Sequence, residues 1–115
     1  MSGLVATVKK IKEKPDEVKR VIKAGIKANR YIHQNREGTI QIMTAWLKID
    51  KEIAAATYES VVKAYNDGGG VPESGLRLAV EEARRLGKVE REVALSEVSD
   101  FSILREAQRE MGPNK

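Results

Sequence analysis

At 115 residues the chain is of single-domain size, and such a domain buries roughly 65% of the surface its unfolded form exposes. The absence of cysteine excludes disulfides, thiol catalysis and cysteine-ligated zinc, and no apolar run approaches the roughly 20 residues that a membrane-spanning helix requires. Charged residues make up 33% with a net charge of +4, and aromatics only 4%, so the core must be built from Val, Ile, Leu, Ala and Met. That palette suits helix packing.

In chain order, Gly3 to Val8 is short and β-branched and reads as a strand or a frayed helical lead, followed by Lys9 to Lys14 as a charged link or one helical turn. Pro15-Asp16-Glu17 has the features of a helix start: proline in the first turn and acids at the positive end of the dipole. Val18, Val21, Ile22, Ile26 and Ile32 keep a helical period to about Gln34. Asn35-Arg36-Glu37 breaks it. A second helix over residues 36–49 has Ile40, Met43 and Leu47 as its stripe, widened by Ile42 and Trp46. Asp50 is placed to cap a third helix to about Tyr65, with Ile53, Thr57, Val61 and Ala64 as its inner face.

Asn66 to Gly70 stops that helix and reads as a flexible turn. Val71-Pro72-Glu73 opens a fourth helix carrying Leu76, Ala79, Val80, Ala83 and Leu86, with Gly87 as its stop. Lys88 to Leu95 reads as an extended connector. Ser96 or Ser99 then caps a last helix with Val98, Phe101, Leu104, Ala107 and Met111, closed by Gly112-Pro113. The expectation is an all-α fold of about five helices with short loops. Residues 1–14 form an N-terminal segment, 15–112 a single helical domain and 113–115 a tail.

Little in this pattern carries chemistry. His33, the only histidine, has Arg30 and Arg36 at helical spacing, which repel a cation, so no metal site is expected. Gly68-Gly69-Gly70 lacks the Lys-Ser or Lys-Thr pair of a phosphate loop, and Glu73 opposes an anion at the helix entrance. The carboxylates, such as Glu81 beside Arg84 and Arg85 or Glu106 beside Arg109, have basic neighbours at helical spacing, as solvated helix faces do. No catalytic residue, cofactor or enzymatic role is expected.

Charge is unevenly spread: residues 9–30 hold nine basic residues against Glu13, Asp16 and Glu17. Lys19, Lys23, Lys27 and Arg30 form a candidate anion-binding face for nucleic acid or anionic lipid. No aromatic is interleaved for base stacking before Tyr31, which argues against nucleic acid.

Several segments, in order, carry a resemblance. They are Lys12 to Ala24 (KEKPDEVKRVIKA), Ala28 to Glu37 (ANRYIHQNRE), Trp46 to Ala54 (WLKIDKEIA), Val71 to Leu78 (VPESGLRL) and Glu97 to Ala107 (EVSDFSILREA). Together they resemble the C-terminal helical region of ABC-transporter periplasmic solute-binding proteins, in the nitrate, sulfonate, taurine and thiamine-precursor class. The resemblance covers nearly the whole chain but only the last third of the family's pattern. It implies the helical part of a type 2 periplasmic-binding-protein fold without its α/β lobes, and no ligand-contacting motif falls within it.

By that resemblance the chain is a non-enzymatic, transport-related fragment or truncated homologue acting as a helical scaffold. An ABC permease and a small-molecule solute are its implied partners, and the periplasm its implied location. Met1 as a natural start, with no signal peptide after it, implies the cytoplasm instead. The alternative reading is a free-standing, self-associating helical interaction protein. Helices that usually cover a sheet have apolar faces in need of a cover, so a homodimer is expected.

Overall fold

A computed structural model describes residues 3–113 and is all-helical, with no strand among the described residues. Seven α-helices follow one another: α1 (Val8–Glu13), α2 (Pro15–Gln34), α3 (Arg36–Leu47), α4 (Lys51–Val61), α5 (Glu73–Leu86), α6 (Leu95–Val98) and α7 (Ser102–Met111). A 3-10 turn, Val62–Ala64, extends α4. The five expected helices are α2, α3, α4, α5 and α7. α1 falls on the link over residues 9–14 and takes its helical-turn alternative, whereas α6 is a separate short helix that the sequence reading does not include. The segment Gly3 to Thr7 is not a strand; instead the Thr7 hydroxyl accepts from Lys10 N at 3.1 Å and caps α1. α6 begins at Leu95, where the extended connector is expected to end, and a break at 99–101 separates it from α7, so the single expected last helix is two.

Helix ends follow from local bonding. Asn35 is the whole link between α2 and α3: its N–H donates to Tyr31 O at 2.8 Å, and its C=O accepts from Thr39 N at 2.9 Å. Asp50 takes the N-cap position of α4, but its side chain makes no capping bond. Neither Ser96 nor Ser99 caps α7. Phe101 takes the N-cap position, and Asp100 before it supports the first turn, its Oδ1 accepting from Ser102 N at 2.9 Å and Ser102 Oγ at 2.6 Å, while Ser99 Oγ donates back to Leu95 O. These donors hold the Asp100 carboxyl below the ordinary range. α5 ends at Gly87 with Lys88 beyond it at φ 53°, and Val89 N and Lys88 N bond Arg84 O and Arg85 O. This is a Schellman closure whose left-handed position holds lysine rather than glycine.

α2 is the axis of the molecule. α7 lies along it, α1 packs on its start, and the α3–α4 hairpin leaves from its end. Where α2 and α7 pack together, Ile26 of α2 and Ala107 of α7 are buried, 1% and 0% exposed. A core cluster groups Ile40, Ala54 and Tyr58 with Ile32, Met43, Ile49, Ala55 and Val62 around them. Full burial of Ile26 or Ile40 contributes about 1.5–3 kcal/mol each.

The inner face of α4 differs from the sequence expectation. Ala54 and Tyr58 point inward, while Ile53 and Val61 are exposed, a rotation of about one residue. The Tyr58 hydroxyl supplies the reason. It donates to Ile32 O at 2.8 Å, one of the last carbonyls of α2, which has no partner within its own helix.

Candidate interaction surfaces

The basic face of α2 is largely spent inside the molecule. Lys19 Nζ contacts Glu106 Oε1 and Glu110 Oε1 of α7, both at 2.9 Å, and Lys23 pairs with the other Glu110 oxygen. Hydrogen bonds from Lys23 and Lys19 pull the Glu110 carboxyl down to about 2, and those same carboxylates push the Lys19 ammonium above its ordinary value. Arg30 Nη2 donates to Gly112 O at 2.6 Å, placing a cation at the C-terminal, negative end of α7. Of the four residues in the candidate anion face, only Lys27 has no partner among the described residues. The structure therefore brings Lys19 and Lys23 together as a seam with α7 and sets Arg30 apart as a cap.

The glycine loop is packed, not loose. Gln108 Nε2 donates to Gly68 O at 2.7 Å and Asn29 Nδ2 to Asn66 O at 2.9 Å, while His33 Nε2 meets Tyr65 O. Gly69 adopts φ +72°, and a methyl there would lie 3.3 Å from Ile26 Cγ1 and 3.6 Å from Leu104 Cδ1. The loop is a wedge between α2 and α7. Beside it is an open cleft of about 450 Å³, bordered by Arg30, Asp67, Gln108 and Arg109. The buried Arg30 Nε has no acceptor among the described residues. Among the described residues no three His, Asp or Glu side chains converge as metal ligands, and no helix is long and apolar enough to cross a membrane.

Apolar side chains facing outward are the most prominent surface feature. On α3, Trp46 is 84% exposed and Leu47 60%, with Ile42 one turn before Trp46 also exposed. These three belong to the stripe that the sequence assigns to the core; only Ile40 and Met43 of that stripe turn inward. On α4, Ile53 and Val61 add to the exposed set. α5 buries no residue, and its Leu78 and Leu86 are 67% and 77% exposed. The α3–α4 hairpin thus has one face in the core and apolar residues on another.

Whole-molecule area gives these faces a scale. The chain exposes 8914 Å². A compact monomer of its 12.8 kDa mass would expose roughly 6,300 Å², so the excess is about 2,600 Å². Comparisons with protein-family models, with curated proteins and with solved structures found no match.

Proposed function

We propose that the chain is a non-enzymatic helical module that covers another protein surface with its outward apolar faces. The observation that carries this reading is the exposure of Ile42, Trp46, Leu47 and Ile53 on a hairpin that already has its own core. Patches of this kind on soluble proteins mark interaction sites. The resemblance to the C-terminal helices of ABC-transporter solute-binding proteins supports the same role, since those helices clothe an α/β lobe. On that reading a solute and a permease become partners only when lobes complete the cleft. Binding to nucleic acid or an anionic surface has less support, because Lys19 and Lys23 already hold carboxylates.

Trp46 is the only tryptophan and so reports on the face directly. Acrylamide quenching of its fluorescence should be weak in the assembled protein and rise when assembly is reversed by dilution. Quenching as strong as for a free indole at every concentration, together with no uptake of an apolar dye, would contradict a covering role. Self-association is the second reading, favoured by the excess area, which exceeds the roughly 800 Å² each partner contributes to a standard interface.

A further inference from the structure

We propose that the end of the α3–α4 hairpin, residues 45–53, packs two-fold against the same end of a second copy of this chain. This rests on the covering reading and names its partner. Every residue from Ala45 to Ile53 is exposed except Ile49, which packs on the hairpin's own core. Trp46 is 84% exposed, Leu47 60% and Ile53 54%, so nothing among the described residues covers this end. Trp46 alone presents on the order of 150–200 Å² there. The approach along α3 is free of charge: Gly38 to Leu47 holds no Asp, Glu, Lys or Arg, in a chain that is 33% charged. Interface centres are depleted of charge in this way and are anchored by aromatic residues such as Trp.

The charges around that apolar end name the second copy. Lys48, Asp50 and Glu52 follow one another closely, carry both signs, and make no ion pair or side-chain hydrogen bond among the described residues. Asp50 stands at the N-cap of α4, yet its side chain makes no capping bond and is free to turn outward. Lys51, the other charge here, is taken by Glu37 at 3.5 Å. A partner surface of one charge sign would oppose either Lys48 or the two carboxylates. A two-fold axis near Leu47 opposes neither. Lys48 of each copy then meets Asp50 and Glu52 of the other, and Trp46 and Leu47 are enclosed between the two ends. Such rim pairs contribute little affinity and instead select the partner, while the apolar side chains supply the burial. The chain's excess area of about 2,600 Å² exceeds the roughly 800 Å² that each copy contributes to a standard interface.

The chain has no cysteine, so single reporters can be introduced cleanly. Under mild oxidation Leu47→Cys, beside the axis, should form a disulfide-linked dimer at least ten-fold faster than Leu78→Cys, comparably exposed on α5. Lys48→Glu should raise the dimer dissociation constant at least five-fold, and so should Asp50→Asn combined with Glu52→Lys. Mixing those two chains should restore a dimer of one of each, which native mass spectrometry distinguishes by mass. Circular dichroism of each variant verifies that helix content is kept. If the chain dimerises but Leu47→Cys links no faster than Leu78→Cys, or the mixture stays monomeric, the pairing of hairpin ends is wrong while the covering reading stands. A chain monomeric at every concentration that takes up an apolar dye overturns the second copy and leaves the covering reading to another partner. One that takes up none, with Trp46 quenched as freely as indole, overturns both.

Discussion

Gly69 shows how one residue ties the sequence to the tertiary structure. Its positive φ costs a side-chain-bearing residue about 1–2 kcal/mol, and the methyl of alanine would also crowd Ile26 Cγ1 at 3.3 Å. Gly69→Ala should therefore lower unfolding free energy by at least about 1–2 kcal/mol, measured by urea denaturation. Lys88 is the converse case, a lysine at φ 53° where a helix closure favours glycine. Lys88→Gly should stabilise the chain by about 1 kcal/mol in the same assay, because the left-handed strain is removed. Equal stability in both variants would mean that neither backbone position is held as described.

At the scale of elements, the α2–α7 contact combines the buried Ile26 and Ala107 with the Lys19, Lys23, Glu106 and Glu110 seam. The Glu110 carboxyl is depressed from an ordinary 4.5 to about 2 in the folded chain, so it binds protons more weakly there than when unfolded. Its contribution is present above pH 4.5 and is lost as pH falls from there toward 2. The Lys19 ammonium is raised above 10.5, so its share is present below that pH and is lost only at higher alkalinity. Denaturation midpoints should therefore drop between pH 4.5 and 2, and Glu110→Gln should flatten that drop. An unchanged acid limb in the variant would remove the seam from the account.

The main helices were legible in the sequence because period, Pro15 and the glycines at 68–70 and 87 are local signals. The short α1 was legible only as an alternative to a charged link, and α6 was not legible as a separate helix. Helices of six and four residues have too few positions to show a period, and depend on single bonds such as Thr7 to Lys10 and Glu97 Oε2 to Ala94 N. The inner face of α4 was set one residue away because Tyr58 answers to a carbonyl on another helix. The basic face of α2 was misleading for a similar reason: Glu106 and Glu110 lie 87 and 91 residues from Lys19, beyond any local pattern. The outward position of Trp46 was equally hidden, since apolar residues on two sides of α3 do not reveal which side the core takes.

For the whole molecule, extent and area agree. A compact chain of this length has a radius of gyration of roughly 13 Å, whereas this one has 16.8 Å and extends 48 × 34 × 23 Å. Two small buried regions joined by α2, with α5 and α6 to the side, leave too little covered for a self-sufficient domain. On the proposed covering role, this expanded molecule with several unopposed apolar faces is one part of a larger assembly.

Native mass spectrometry of the unaltered chain across a dilution series tests this most directly. The account predicts a species at twice the 12.8 kDa mass that gives way to the monomer on dilution. A lone 12.8 kDa species throughout the series would contradict assembly between copies.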